Sequence, residues 1–130
     1  MASIFTKIVN GEIPSYKIAE TENCLAFLDV FPLVKGHTLV IPKKEIDYIF
    51  NIDNELLSEL HIFSKKVAKA IEKAIPCKRI GIAVIGLEVP HAHIHLVPLN
   101  KVGDLDFSKS KLNPAPEELK QVQMEICKYL

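Results

Sequence analysis

Residues 89–98 read Val89-Pro90-His91-Ala92-His93-Ile94-His95-Leu96-Val97-Pro98. Three histidines therefore alternate with apolar residues. Because successive side chains of a strand point to opposite faces, this spacing predicts a strand over residues 89–97 with the three imidazoles on one face and the apolar side chains on the other. Neighbouring histidines would lie roughly 6.6 Å apart, at about 3.3 Å per residue, and would line a surface long enough for an extended substrate.

The chain before this stretch predicts one short helix and three strands. Residues 4–9 carry apolar side chains at helical spacing, and a turn sequence closes the segment. Residues 16–19 and 24–30 predict two strands joined by a polar turn, which favours an antiparallel hairpin. Residues 37–41 are apolar and β-branched and predict a third strand.

A change in the spacing of apolar residues marks the main helix. From Asp53 to Ile75 apolar residues recur every three or four positions, with lysines on the other face, and Pro76 stops the pattern. Residues 79–85 predict a further strand, and the segment from Pro116 predicts a final helix. The order of elements indicates an α+β fold, an antiparallel meander of about five strands with the long helix on one face and short helices at both ends of the chain.

Composition narrows the class of protein. The 130 residues are 48% hydrophobic, which suffices for one packed core, and we expect a single domain over residues 1–130. Sixteen basic residues balance sixteen acidic ones, so the charge predicts neither a nucleic-acid nor a membrane partner. Three cysteines without C-x-x-C spacing indicate reduced thiols. With no leader pattern and no long apolar run, a cytoplasmic location is the simplest expectation.

The three histidines suit chemistry at phosphorus. Near pH 7 imidazole is partly neutral, and neighbouring rings oppose each other's protonation. His93, at the centre, is the candidate nucleophile, since a neutral ring nitrogen can attack phosphorus when a hydrogen bond fixes the other nitrogen. His91 and His95 would then bind phosphate oxygens or protonate the leaving group. Zinc binding is an alternative use of this spacing, although no carboxylate or cysteine is spaced to complete a zinc site locally.

At these residues the chain resembles the histidine triad (HIT) family of nucleotide hydrolases and transferases, and within it the Hint-like purine nucleoside phosphoramidases. The family signature is His-x-His-x-His followed by apolar residues. Three further blocks resemble the family in the same order, at residues 4–14, 24–29 and 36–44. The resemblance extends over roughly residues 3–100.

The resemblance implies a hydrolase that cleaves a purine nucleoside phosphoramidate or a dinucleoside polyphosphate at the α-phosphorus. His93 would form a nucleotidyl-histidine intermediate, and water would release the nucleoside monophosphate. His95 would contact the bridging atom of the leaving group, while His91 and His37 would orient and neutralise the phosphate region. Asp29 would accept the ribose hydroxyls. The apolar residues around the base would be Phe5, Ile8, Ile13, Phe27 and Val30. The resemblance also implies a homodimer with no required metal or other cofactor.

Two positions depart from the family pattern. Glu88, in a short link before the triad, stands where a hydroxyl is expected near the phosphate. Since a carboxylate there would repel phosphate, we expect it to point outward, with backbone N–H groups taking over the contact. Glu45 stands where relatives carry a further histidine. The altered link leaves open a second class of function, a nucleotide-binding or interaction module without turnover.

Overall fold

The computed structural model describes residues 2–130. In chain order the main elements are α1 (Ile4–Val9), β1 (Lys17–Glu20), β2 (Cys24–Leu28), β3 (Thr38–Pro42), α2 (Asn54–Ala74), β4 (Arg79–Ala83), β5 (Ile94–Leu99) and α3 (Pro116–Cys127). Two short 3-10 turns lie at Ile49–Asn51 and Val102–Leu105. The predicted α+β class, with one long helix between the strands and a helix near each end, is confirmed.

The five strands pair antiparallel in one sheet, in the order β1-β2-β3-β5-β4. This order departs from the simple meander that the sequence predicts. After β3 the chain crosses one face of the sheet in α2 and rejoins the sheet at its edge as β4, and β5 then occupies the position between β3 and β4. As a result β5 is flanked by strands on both sides and is buried along nearly its whole length.

Both ends of α2 carry residues that are typical of helix termini. The Asp53 carboxylate accepts a hydrogen bond from the Leu56 backbone N–H at 2.9 Å and caps the first turn. Glu55 lies in the first turn and Lys73 in the last, as the helix dipole favours. The helix ends before Pro76, whose ring cannot continue it.

Two apolar clusters cover the two faces of the sheet. Alternate residues of β2 divide between them, because Cys24, Ala26 and Leu28 lie in the larger cluster and Leu25 and Phe27 lie in the smaller one. The larger cluster includes the buried faces of α2 and α3, and the smaller one includes side chains of α1. The histidine rings lie on the α1 side, away from the long helix.

The strand that carries the histidines is shorter than the predicted range of residues 89–97. β5 begins at Ile94, so His95 alone of the three lies in the sheet, and the residues before it form an irregular connection from β4. Gly86, with a φ of +73°, and Pro90, which lacks an N–H, interrupt regular pairing there. The alternation therefore separated the two faces correctly, since Ala92, Ile94 and Leu96 lie in the larger apolar cluster and the histidines do not, but both faces are buried and the predicted extent of the strand was wrong.

Within the described chain, no helix combines the length and the apolar character needed to cross a membrane. All three cysteines are free thiols, which agrees with the prediction of reduced cysteines. Cys24 is buried, Cys77 is half-buried and Cys127 is exposed.

Candidate active site

His93 is fixed by its own backbone surroundings in the orientation that nucleophilic attack requires. Its Nδ1 lies 2.7 Å from the carbonyl oxygen of His91, which can only accept a hydrogen bond. The proton of the neutral ring therefore sits on Nδ1, and Nε2 keeps its lone pair. Every fully buried side-chain nitrogen and oxygen in residues 2–130 has a hydrogen-bond partner, so the unpartnered Nε2 of His93 reaches the surface, although the residue as a whole is only 7% exposed.

His37 and His95 form a hydrogen-bonded pair with a defined direction. The Leu33 backbone N–H donates to His37 Nδ1 at 3.0 Å, which places the proton of the neutral His37 ring on Nε2. That Nε2–H donates to His95 Nδ1 at 2.9 Å, so the neutral His95 ring carries its own proton on Nε2. His95 therefore presents an N–H donor beside the lone pair of His93, with the two ring centroids 4.9 Å apart.

Burial keeps this pair of rings neutral. It lowers the pKa of His37 to about 4, and the positive charge of Lys111 acts in the same direction. Burial lowers the pKa of His95 to about 3, with His37 as the next largest cause. His37 also lies 3.7 Å from an Asp29 carboxylate oxygen, but with a neutral ring this contact is not an ion pair.

His91 does not face the open part of the site. Its ring is fully buried, and burial lowers its pKa. Nε2 donates to the carbonyl oxygen of Pro42 at 2.8 Å, and Nδ1 lies 2.9 Å from the hydroxyl oxygen of Ser3. Both ring nitrogens are thus occupied by the protein. The expected phosphate contact is not available to this ring, and the contact of residue 91 with His93 is made by its backbone carbonyl. The ring of His37, also buried, has both nitrogens occupied in the same way.

Asp29 follows β2 at the border of the site. One carboxylate oxygen, Oδ1, accepts a hydrogen bond from the Phe31 backbone N–H at 3.0 Å. Burial raises the pKa of the carboxyl group, and the Phe31 hydrogen bond opposes this effect. The side chain is still 19% exposed. Asp29 therefore keeps an accessible acceptor oxygen close to the His37–His95 pair.

Three of the predicted base-binding residues lie together beside His93. Phe5 and Phe27 pack edge to face with their ring centroids 5.4 Å apart, and the Phe5 ring lies 5.0 Å from the His93 ring. Ile8 packs against the same apolar cluster and is partly buried. These contacts make one continuous apolar wall next to His93.

The other two predicted base-binding residues lie further out. Ile13 is partly buried but outside that apolar cluster, and Val30 is 41% exposed. The structure does not bring these two side chains into the wall formed by Phe5, Phe27 and Ile8. Glu88 is exposed, and its negative charge adds to burial in raising the pKa of the Asp29 carboxyl group, so its outward orientation stays a prediction.

Two residues near the site were not predicted. The Phe107 ring packs edge-on against His95, with their centroids 4.7 Å apart. Lys111 lies in the same segment, and its charge contributes, after burial, to the low pKa of both His37 and His95. A 2.9 Å backbone hydrogen bond ties the residue after Lys111 to the loop before His37. This segment has neither helical nor strand periodicity, so the sequence offered no signal for its position.

A metal ion is a poor fit to the ligand atoms at the site. Among the described residues, Asp29, His37 and His95 offer ligand atoms within 4.8 Å of one another. However, the Leu33 N–H forces the proton of His37 onto Nε2, the atom that would have to coordinate. Binding a metal there would require that proton to leave and the bond to His95 to break.

The fold and the site together define a small α+β domain with a histidine-based reaction centre. Residues 10–102 match the sequence model of the HIT domain. The chain belongs to the HIT domain family.

Several relatives cover almost the whole chain. The adenosine 5'-monophosphoramidase hnt1 of Schizosaccharomyces pombe is 38% identical over 129 residues, which span 97% of this chain and 96% of that protein. A HIT-like protein from Bartonella henselae, crystallised with an unknown ligand, has a TM-score of 0.85 and 31% identity, covering 98% of this chain and 96% of its own. A zinc-bound histidine triad family protein from Mycobacterium smegmatis has a TM-score of 0.84 and 27% identity, covering 99% of this chain and 93% of its own.

Proposed function

We propose that the chain is a nucleotide hydrolase that cleaves a purine nucleoside phosphoramidate or a dinucleoside polyphosphate at the α-phosphorus. The observation that carries the proposal is the fixed tautomer of His93, whose Nδ1–H is held by the His91 carbonyl at 2.7 Å while Nε2 stays free. The phosphoramidase activity named for the Schizosaccharomyces pombe relative supports the same substrate class.

In the first proposed step, the lone pair of His93 Nε2 forms a bond to the α-phosphorus. The bond from phosphorus to the bridging nitrogen or oxygen breaks, and its electron pair leaves with the departing group. His95 donates its Nε2–H hydrogen bond to the bridging atom and so stabilises the developing negative charge. An amine leaving group takes its proton from solvent. Neutral His95 does not supply it, because losing its Nε2 proton would leave a buried imidazolate.

In the second proposed step, water attacks the same phosphorus. The N–P bond breaks, its electron pair returns to His93 Nε2, and the proton of the water passes to solvent. The products are a nucleoside monophosphate and the restored site. Asp29 would receive the ribose hydroxyls on its accessible oxygen, and the wall of Phe5, Phe27 and Ile8 would receive the base.

The test compares the wild type with His93→Ala on adenosine 5'-phosphoramidate and diadenosine polyphosphates. AMP release is followed by chromatography, and the covalent intermediate by mass spectrometry of acid-quenched protein. His61→Ala is the matched control, because His61 is an exposed histidine on α2. We expect His93→Ala to lose AMP release and the adduct with an unchanged circular dichroism spectrum. Equal turnover in His93→Ala would remove the nucleophile assignment, and AMP binding by the wild type without any turnover would favour a non-catalytic binding module.

We also propose a homodimer and a cytoplasmic location. β4 is an edge strand of the sheet. Ile82 on this strand and Ile85 and Leu87 after it are exposed apolar side chains, which favours pairing with a second copy. Light scattering should give twice the chain mass for the wild type and the chain mass for Ile82→Lys, and a monomeric wild type would refute the dimer. The free thiols are consistent with a reducing compartment.

A further inference from the structure

The histidines of the site bring no positive charge to a nucleotide, although its phosphate groups are anions. Burial lowers the pKa of His37, His91 and His95, so these rings are neutral near pH 7. Both ring nitrogens of His37 and of His91 are also occupied by the protein. A cation for the phosphate region would therefore have to come from a lysine or an arginine nearby.

A row of four rings gives the site two ends. The centroids of Phe5 and His93 lie 5.0 Å apart, those of His93 and His95 lie 4.9 Å apart, and those of His95 and Phe107 lie 4.7 Å apart. Phe5 belongs to the apolar wall proposed for the base, which places the nucleoside at that end. His95 would donate to the bridging atom, so the leaving group would lie towards the Phe107 end.

Lys111 lies on a segment that two contacts hold against this second end. At one limit of the segment the Phe107 ring packs edge-on against His95, and it lies 6.2 Å from the His37 ring. At the other limit the Leu112 backbone N–H donates at 2.9 Å to a carbonyl of the loop that precedes His37. Lys111 is next to the second anchor, so its backbone is fixed close to the two buried rings.

The Lys111 ammonium is available to a ligand. The residue is exposed, and within residues 2–130 its side chain forms no ion pair and no hydrogen bond. The nearby Lys109, in contrast, donates to the Gly103 carbonyl oxygen at 3.0 Å. After burial, the charge of Lys111 contributes to the low pKa of both His37 and His95. Since charge interactions weaken with distance, the ammonium lies near these rings.

The Asp29 carboxylate is the alternative partner for this charge. Burial raises the pKa of Asp29, and the charge of Lys111 opposes that effect. The two side chains do not form an ion pair, and Asp29 Oδ1 already accepts the Phe31 backbone N–H. A role for Lys111 at Asp29 would affect every nucleoside substrate alike, whereas a role at the leaving group would depend on the charge of that group.

We propose that Lys111 binds a negative charge on the leaving group, so that the hydrolase prefers substrates with a phosphate or a carboxylate beside the bridging atom. This assignment rests on the proposed function for the direction in which the leaving group lies. Recognition of the charge can be measured on a bound nucleotide without turnover. A hydrogen bond between two charged groups is among the stronger ones in proteins, which gives Lys111 a measurable effect at an exposed position.

The first measurement is calorimetric binding to the His93→Ala protein, which should not turn the ligands over. The two ligands are adenosine 5'-phosphoramidates linked through nitrogen to glycine and to glycinamide, which share the bridging atom and differ by one negative charge. We expect the glycine compound to bind about tenfold more tightly, and both to bind equally when Lys111→Ala is added. Lys111→Arg should keep the preference. Lys120→Ala, which removes an exposed lysine of α3, should also keep it.

The second measurement is kcat/KM with His93 intact. We expect Lys111→Ala to lower kcat/KM about tenfold for the glycine compound and less than about twofold for the glycinamide compound. A diadenosine polyphosphate distinguishes the two kinds of anion. A similar loss on this substrate would show that Lys111 also takes phosphate, and a loss confined to the glycine compound would restrict the assignment to carboxylates.

Equal losses on the glycine and glycinamide compounds would overturn the assignment and place the Lys111 charge at Asp29 and the ribose. A loss of the same size in Lys120→Ala, or equal binding of the two ligands before Lys111 is changed, would also overturn it. If the charge preference in binding is present but a protein with His93 intact hydrolyses no substrate, the proposed function fails and the assignment of Lys111 is supported.

Discussion

Acidification should destabilise this protein through the buried histidine pair before most carboxylates are protonated. In the folded chain burial lowers the pKa of His37 from 6.5 to about 4. Below pH 6.5 His37 is therefore protonated in the unfolded chain, whereas in the folded chain it stays neutral down to about pH 4. By linkage, the stabilisation from the neutral ring is fully present above pH 6.5 and is lost as the pH falls from 6.5 towards 4.

The magnitude follows from the same pKa values. Because a difference of one between folded and unfolded pKa corresponds to about 1.36 kcal/mol, His37 alone accounts for about 3 kcal/mol of stability lost over this range. The side chain is fully buried, so solvent does not screen the effect. His95, whose pKa is about 3, shares the hydrogen bond with His37 and adds a loss in the same direction. The free energy of unfolding of a typical domain is only about 5–15 kcal/mol, so a loss of this size is large.

The assay is urea unfolding at intervals between pH 7 and pH 4, for the wild type and for His37→Gln. Removing one proton-linked group should reduce the slope of unfolding free energy against pH by about 1.4 kcal/mol for each pH unit below pH 6. His61→Gln is the control for loss of an exposed histidine. Identical slopes for wild type and His37→Gln would show that His37 is protonated in the folded chain, and the hydrogen-bond direction deduced for His37 and His95 would be wrong.

Other changes test the supports of the site. Gly36→Ala should destabilise the chain by about 1–2 kcal/mol in thermal unfolding, because Gly36 has a φ of +92° and a Cβ there would lie 3.0 Å from Ile75; an unchanged melting temperature would contradict this. Phe107→Ala should cost about 1 kcal/mol of stability and lower kcat, since the edge-on contact with His95 is lost, and a wild-type kcat would exclude a role for this segment. Asp29→Ala should raise KM for nucleoside substrates about tenfold with a smaller change in kcat, and an unchanged KM would remove the ribose assignment.

The sequence was sufficient to predict the limits of elements that carry their own start and stop signals. α2 has a capping aspartate, acidic and basic residues at the appropriate ends, and a proline after its last turn, so both its limits were predictable. The histidine strand lacked such signals. A paired strand and an extended connection share period-2 alternation, and only hydrogen-bonded pairing with neighbouring strands distinguishes them. In this chain that pairing begins at Ile94.

The sequence could not predict which groups form hydrogen bonds with the histidine ring nitrogens, for a different reason. Ser3 and His91 are 88 positions apart, and His37 and His95 are 58 apart. Nothing local marks such pairs. The residue types predicted a row of imidazoles, but which nitrogen of each ring is occupied depends on contacts that form only in the folded chain.

These contacts explain why the proposed reaction, which uses two ring nitrogens, would require four histidines. An isolated neutral imidazole exchanges between two tautomers, and only one of them presents the required atom to a substrate. The Leu33 N–H fixes His37, and His37 fixes His95 as an Nε2–H donor. Pro42 and Ser3 hold His91, and the His91 carbonyl fixes His93 with a free Nε2 lone pair. The His37 ring therefore fixes the His95 ring directly, whereas residue 91 fixes His93 through its backbone carbonyl. Replacing His37 should affect the proposed reaction through the tautomer of His95.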